Sequence, residues 1–197
     1  MLKKILLGVV VVLVAFSGFI ATRPSAFKIE RSTTVSAPAD VVYALVADFR
    51  YMKDWSPFMK PDPARKDTYA GTPAAVGHSL AWVSSAEANE GKMTIVSVHP
   101  PEQLTLELEF IKPFAATNET VFHFKQAGND TTVTWVMTGQ NNFMSKAFCL
   151  FMDMDKMVGS DFEAGLATLK SLAEAKAAAQ AAAGAAPSTA VADNTAK

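Results

Sequence analysis

The strongest constraint in the sequence is a series of segments, between residues 80 and 138, in which apolar and polar residues alternate. In the clearest segment, leucine or phenylalanine occupies every second position from Leu104 to Phe110, and mostly polar residues lie between them. A period of two places alternate side chains on opposite faces of a strand, so each segment predicts a half-buried strand. Short turns such as residues 128–130 join the segments, which predicts an antiparallel meander.

A different period follows the predicted strands. Phe162, Leu166, Leu169 and Ala173 are separated by four, three and four residues, a spacing that predicts a helix with one apolar stripe. An antiparallel sheet with one apolar face needs a cover, and this C-terminal helix is the expected one. The expected fold class is therefore α+β, with a curved antiparallel sheet wrapped around a long C-terminal helix. We also expect a strand over residues 27–35 and helical segments over residues 36–48, 50–55 and 144–157.

The N-terminus carries a segment that could enter a membrane. Lys3 and Lys4 precede an uncharged stretch from Ile5 to Thr22. As a helix, its ~17 apolar residues would span ~25 Å, which suits a thin bilayer or a long signal-peptide core. Three interpretations stay open: an uncleaved transmembrane helix over residues 5–21, which poorly placed cleavage residues favour, a cleaved secretion signal, and a buried helix of the globular domain. The two lysines favour a cytoplasmic N-terminus, with the domain in the periplasm and the anchor in the inner membrane.

Composition argues against several classes of function. The formal net charge is -1, and no basic stripe favours nucleic acid as a partner. The single cysteine, Cys149, rules out an intrachain disulfide or a multi-cysteine metal site, and it reads as a small buried hydrophobe. His78, His99 and His123 lack the spacing of a metal site or a nucleophile with its base. We therefore expect no metal, no cofactor and no catalytic constellation.

Four aspartates keep an enzymatic alternative open. Asp48 and Asp54 flank the predicted short helix, and Asp153 and Asp155 lie on the methionine-rich helical segment. Helix ends and solvated faces account for all four. A carboxyl projecting into an apolar cavity would have a raised pKa and could serve as an acid or a base.

Short motifs follow one another along the chain in a characteristic order. They are Ile29-Glu30-Arg31-Ser32, Val35-Ser36-Ala37-Pro38, Val42 to Asp48, Trp55-Ser56-Pro57, Tyr69-Ala70-Gly71, Gly77, Trp82, Gly91-Lys92-Met93-Thr94-Ile95, Thr131-Thr132-Val133-Thr134-Trp135 and Gly159 to Leu166. Their order and spacing resemble the START/Bet v 1-like (SRPBCC) superfamily, and within it the bacterial polyketide cyclase/dehydrase and lipid-transport group. The resemblance covers roughly residues 27–175, and its motifs are specific for the fold rather than for an activity. It implies a helix-grip fold with a cavity between the sheet and the long helix.

The chain accordingly divides into four expected regions. Residues 1–22 form the membrane anchor or signal segment, residues 23–26 a linker, residues 27–175 the ligand-binding domain, and residues 176–197 an alanine-rich low-complexity tail. The first part of the tail is expected to extend the helix.

Large apolar side chains are concentrated on the inward faces of the predicted elements, where they form either a packed core or a cavity wall. Methionine adapts its shape to loosely specified apolar ligands, so we predict binding or transport of a small lipid-like or aromatic ligand. A cyclase or dehydratase-like enzyme and a protein-interaction module are the alternatives. The candidate cavity residues are Trp55, Phe58, Trp82, Leu106, Leu108, Phe122, Phe124, Trp135, Met137, Met152, Met157, Phe162 and Leu166.

The orientation across the membrane is testable with a reporter. Alkaline phosphatase is active only outside the cytoplasm, and we expect activity in the membrane fraction when it is fused after residue 175. A well-expressed but inactive fusion would reverse the orientation. Activity in the soluble fraction, with a new N-terminus near Gly18, would instead identify a cleaved signal.

Overall fold

The computed structural model of the chain describes residues 2–59, 62–85, 89–150 and 152–185. Its fold class is α+β, as the sequence predicts. Its elements are α1 (Leu2–Ala21), β1 (Ala26–Val35), α2 (Ala39–Ala47), a 3-10 turn (Phe49–Tyr51), α3 (Met52–Trp55), β2 (Arg65–Ala70), β3 (Ser79–Ser84), β4 (Asn89–His99), β5 (Gln103–Lys112), β6 (Ala116–Ala127), β7 (Asp130–Gln140), α4 (Phe143–Phe148) and α5 (Met154–Ala185).

All seven strands belong to one antiparallel sheet in the order β1-β7-β6-β5-β4-β3-β2. The alternation read from the sequence sets which face is buried: Val133, Trp135 and Met137 are buried on β7, and the residues between them are only partly buried. Strand β2 was not predicted. It is an edge strand whose residues are mostly exposed on both faces, so it lacks the alternation that marks the other strands.

The helical segment predicted over residues 144–157 is two helices rather than one. The Asn142 side chain accepts a hydrogen bond from the Ser145 backbone N–H (2.8 Å), and Asp153 accepts one from the Lys156 backbone N–H (3.1 Å). Both are N-cap contacts, so Asn142 begins α4 and Asp153 begins α5. Helix α5 continues to Ala185, which confirms that the first part of the tail extends the helix; residues 186–197 lie outside the described residues.

Helix α5 crosses the concave face of the sheet, and its stripe of Phe162, Leu166, Leu169 and Ala173 is buried as predicted. Polar contacts with β1 hold the helix near both ends of this stripe. At the N-terminal end, Arg31 Nη2 bonds the Asp155 carboxylate (2.9 Å) and Arg31 Nε bonds that of Glu163 (2.7 Å). At the other end, the Glu174 carboxylate accepts from the Ser36 backbone N–H (2.8 Å). These contacts fix the height of the helix above the sheet.

Helix α1 is a separate structural feature. The stretch Lys3–Ala21 is long and apolar enough to cross a membrane, and a signal sequence would meet the same criteria. Residues 3–19 are exposed, and within residues 3–21 of the helix Ile20 is the buried residue.

The contacts of Arg31 make the attachment of α5 to the sheet dependent on pH. Its hydrogen bonds hold the pKa of the Asp155 carboxyl below the ordinary value, so their contribution to stability is present above the ordinary pKa of about 4 and is lost as pH falls through the lower folded-state value. We expect Arg31→Gln to lower the urea midpoint of the full chain at pH 7. The difference from wild type should shrink below about pH 4.

The matched control is Lys156→Gln, which removes the same charge from an exposed side chain whose nearest carboxylate, that of Asp153, is 3.9 Å away. Its urea midpoint should follow that of wild type throughout. A difference between Arg31→Gln and wild type that stays constant down to pH 2 would contradict a role for Asp155.

Leu169 tests how tightly the far part of the stripe is packed. Its side chain is fully buried, so Leu169→Ala should reduce the free energy of unfolding by about 2–5 kcal/mol. Thr168→Ala, at the exposed neighbouring position, should change it by less than about 1 kcal/mol. Urea denaturation followed by tryptophan emission measures both. Equal effects of the two substitutions would show that α5 does not pack there.

A hydrophobic cavity under the long helix

A cavity of about 760 Å³ lies between the concave face of the sheet and the first turns of α5. Strands β3 to β7 form its floor, and the segment after α3, helix α4 and the start of α5 close over it. Its floor is mostly apolar because the inward positions of these strands carry leucine, methionine, phenylalanine and tryptophan. The cavity exists because a curved sheet of this width encloses more space than one helix fills.

The cavity occupies one half of the space between the concave face of the sheet and α5, and a packed core fills the other half. Leu108, Asn118 and Gly139 are paired across β5, β6 and β7, and the first two line the cavity. Toward the other end of the same strands, Phe124 pairs with Val133, and both lie in the packed core. The Tyr43 ring of α2 meets the Phe124 ring edge-on, with centroids 5.5 Å apart. Helix α2 therefore plugs one half, and the other half stays open.

All three tryptophans of the chain line the cavity. The ring of Trp135 stacks on that of Phe162 with centroids 3.9 Å apart. Trp55 donates from Nε1 to the Leu45 carbonyl (3.0 Å), and Trp82 donates from Nε1 to Asn89 Oδ1 (3.1 Å). Because stacking or hydrogen bonds fix these rings, the wall has a defined shape in this region.

Two glycines allow the wall to close. A Cβ on Gly91 would lie 2.3 Å from the Trp82 ring and 2.6 Å from the Glu109 carbonyl oxygen, so only glycine lets this ring lie flat against β4. A Cβ on Gly165 would lie 2.8 Å from Pro57 and 3.2 Å from Trp135. Glycine therefore brings α5 close to the sheet just beyond the cavity.

Polar side chains gather where the cavity meets β2 and β3. The Asp62 carboxylate accepts from the Ser84 hydroxyl and from the Ala64 backbone N–H. These two hydrogen bonds lower the pKa of Asp62, so the group is a carboxylate at neutral pH. Arg65 pairs with Asp67 (2.7 Å) and donates to the Phe58 carbonyl (3.0 Å). This end could orient the polar head of a ligand whose apolar body lies deeper.

The structure brings ten of the thirteen predicted cavity residues together around one cavity. Phe124 and Leu166 instead lie in the packed core. The alternation in the sequence shows that a residue faces inward, but it does not show whether that residue faces the core or the cavity. Met152 is exposed in the connection between α4 and α5, which the sequence assigned to a continuous helix. The ten lining residues are Trp55, Phe58, Trp82, Leu106, Leu108, Phe122, Trp135, Met137, Met157 and Phe162.

Several lining residues were not singled out from the sequence. Asp62 and Arg65 belong to the unpredicted β2 region, and Asn118 precedes the segment of β6 whose alternation was recognised. Cys149 is half-buried and lines the cavity rather than the packed core. Loop and helix-end residues carry no periodic signal, so only the tertiary arrangement places them here. Phe114, Met144, Phe148 and Asp161 are further examples.

The aspartates and histidines noted in the sequence lie away from the cavity. The Asp48 carboxylate pairs with Arg50 (2.6 Å), and the hydrogen bonds from Arg50 lower the pKa of Asp48. His78 is buried, its Nδ1 lies 3.0 Å from the Ala70 carbonyl oxygen, and its Nε2 accepts from the Phe49 backbone N–H (3.3 Å). A neutral ring protonated at Nδ1 satisfies both contacts, so His78 fixes the β2–β3 connection to the 3-10 turn. Asp54, Asp153, Asp155, His99 and His123 are exposed.

Within the described ranges, no group of three or more histidine, cysteine, aspartate or glutamate side chains is arranged to hold a metal ion.

Solved structures share this fold at low sequence identity. Protein CV1439 from Chromobacterium violaceum has a TM-score of 0.53 and 16% identity, covering 75% of this chain and 96% of that one. The Aha1 dimer from Colwellia psychrerythraea has a TM-score of 0.53 and 13% identity over 75% and 96% of the two chains. The di-domain ARO/CYC StfQ from the steffimycin biosynthetic pathway has a TM-score of 0.58 and 8% identity over 78% and 52%. At these identities the likeness establishes the fold alone.

A comparison with curated proteins finds no significant match. The family described as polyketide cyclase / dehydrase and lipid transport matches residues 26–174, which include all seven strands and the cavity-lining part of α5. Since this match covers most of the chain, the protein belongs to the polyketide cyclase/dehydrase and lipid transport family.

Proposed function

We propose that this protein binds a small hydrophobic ligand, lipid-like or aromatic, in the cavity and carries it at a membrane to which α1 tethers the domain. The observation that carries the proposal is the mostly apolar cavity of about 760 Å³ with three tryptophans in its wall. Small-molecule sites typically enclose about 300–1,000 Å³, so this volume fits an acyl chain or a fused-ring compound. Burial of apolar area contributes ~25 cal/mol per Å², and affinity would therefore need few polar contacts.

The tether follows from the exposed apolar surface of α1. A lone helix with apolar side chains exposed from Ile5 to Phe19 would be unstable in water, and hydrocarbon is the environment that suits it. With Lys3 and Lys4 on the cytoplasmic side, the cavity domain faces the periplasm. The regions proposed are the anchor over residues 1–22, the linker over residues 23–26, the binding domain over residues 27–175 and the tail over residues 176–197.

A cyclase-like reaction is less well supported by the geometry. An acid catalyst in an apolar site needs a carboxyl whose pKa is raised, whereas hydrogen bonds lower that of Asp62 on the cavity wall. Binding without chemistry needs none of these groups to titrate.

Tryptophan emission provides a direct test of binding, because every tryptophan lies on the cavity wall. In nanodiscs that hold the full chain, a brominated fatty acid and a brominated polycyclic aromatic should quench this emission in a saturable way. Absence of saturable quenching by either class of probe would contradict the proposal.

Two alanines at opposite ends of β6 provide matched variants. Ala116 lines the cavity, and Ala127 is exposed at the far end of the strand. Ala116→Phe should weaken binding by roughly tenfold, as expected when ~1–2 kcal/mol of overpacking opposes the ligand. Ala127→Phe should leave the dissociation constant unchanged. Equal affinities in the two variants would place the bound probe outside the cavity.

A further inference from the structure

The exposed phenylalanines of the domain, among the described residues, lie at one end of the sheet. Outside α1, four phenylalanines of the described residues are exposed. Phe58, Phe114 and Phe148 line the cavity, and Phe143 precedes Met144, which also lines it. They lie after α3, in the β5–β6 connection and on α4. Ile111, at the end of β5, and Met144 of α4 are exposed beside them. The rim is defined here as Phe58, Ile111, Phe114, Phe143, Met144 and Phe148.

Strand register places these segments at the same end of the sheet. Phe110 pairs with Ala116 on either side of the β5–β6 connection. Gln140, shortly before α4, pairs with Ala26 at the start of β1. Arg65, which bonds the Phe58 carbonyl, pairs with Ser84 at the end of β3. The segments that carry the rim therefore lie at one end of the sheet, the end that the cavity occupies.

The same end of the domain meets the end of α1. Within residues 3–21 of α1, Ile20 is the apolar residue that is buried, and α1 packs against α4 in the domain. Lys146 Nζ of α4 donates to the Ala21 carbonyl (3.4 Å), and the Asn141 backbone N–H donates to the Ser25 carbonyl (2.7 Å). The apolar surface of α1 thus continues directly onto the rim.

We propose that the rim inserts into the outer leaflet around the C-terminal end of α1, so that the cavity mouth opens into the bilayer rather than into water. This inference rests on the proposed tether. A helix that spans the membrane to Ala21 brings its end to the bilayer surface, and α4 packs against that end. Exposed phenylalanine and methionine are stable at that depth, where their rings and thioether leave water. A hydrophobic ligand then passes between leaflet and cavity without crossing water.

The continuity with α1 favours a lipid surface over a protein partner. The rim borders the one segment of the described chain that could itself cross a membrane. A patch for a protein partner would have no reason to lie at the point where the chain leaves the bilayer. At the opposite end of the sheet the hairpin turns over residues 99–102 and 128–130 carry mostly polar or proline residues, which suits contact with water.

Site-specific fluorescence in vesicles tests this proposal. Cys149→Ser gives a cysteine-free full chain, and single cysteines labelled with an environment-sensitive dye are then placed at Phe143 and Ile111. Neither residue lines the cavity, so a ligand inside it would not contact the dye. Val76 is the control, because it is 61% exposed against 47% for Phe143 and 51% for Ile111, and it lies in the β2–β3 connection at the other end of the sheet. A dye at Val11, within α1, reports insertion of the helix.

The expected result is a blue-shifted emission at Phe143 and Ile111, with strong loss of emission when the vesicles contain lipids that carry a nitroxide near the headgroup end of the acyl chain. Val76 should show neither change. Rim dyes that behave like the Val76 dye, while the Val11 dye is quenched by a deeper nitroxide, would overturn the rim proposal alone. An unquenched Val11 dye would overturn the tether and the rim proposal together. Ligand binding is measured separately by tryptophan quenching, so its failure is distinguishable from both outcomes.

Discussion

The structure depends on one geometric constraint, which is that a single helix must cover a curved sheet of seven strands. Helix α5 is fixed over the sheet by the Arg31 ion pairs at one end of its apolar stripe and by the Glu174 contact with Ser36 at the other. Helix α2 plugs one half of the concave face, with Tyr43 packed on Phe124. No other element fills the remaining half in the described part of the chain, so the inward side chains there line a cavity.

The position of the cavity within the grip is linked to the way the chain enters the domain. Strand β1 starts at Ala26, a few residues after α1 ends at Ala21. This start of β1 lies at the same end of the sheet as the cavity mouth. Helix α4 contacts both the cavity and the end of α1. A tether, a mouth and an apolar border therefore occupy one side of the molecule, which is the arrangement that transfer of a hydrophobic ligand from a bilayer needs.

Much of the fold was predictable because it depends on periodicity. Alternation in β7 and the Phe162/Leu166/Leu169 stripe each report a face that must be buried, and the structure buries those faces. On β5, Leu104 and Leu106 are buried, whereas Leu108 and Phe110 are half-buried where they line the cavity. Strand β2 was missed because an exposed edge strand has no face to bury. The α4–α5 break was missed because its signal is one cap within a run whose composition is helical throughout. The Asp153 side chain accepts from the Lys156 backbone N–H there and begins α5.

The sequence by itself determined the α+β class, the apolar N-terminal helix and the set of side chains that face inward. These features depend on periodicity and on the length of an apolar run, which are properties of residues close together in the sequence. The sequence did not determine which inward residues face empty space. Leu166 and Phe162 belong to the same apolar stripe of α5, and Phe124 and Phe122 lie on the same face of β6. Only Phe162 and Phe122 line the cavity. That difference arises because α2 and the close approach of α5 at Gly165 fill one half of the grip, and such packing exists only once distant segments meet in the tertiary structure.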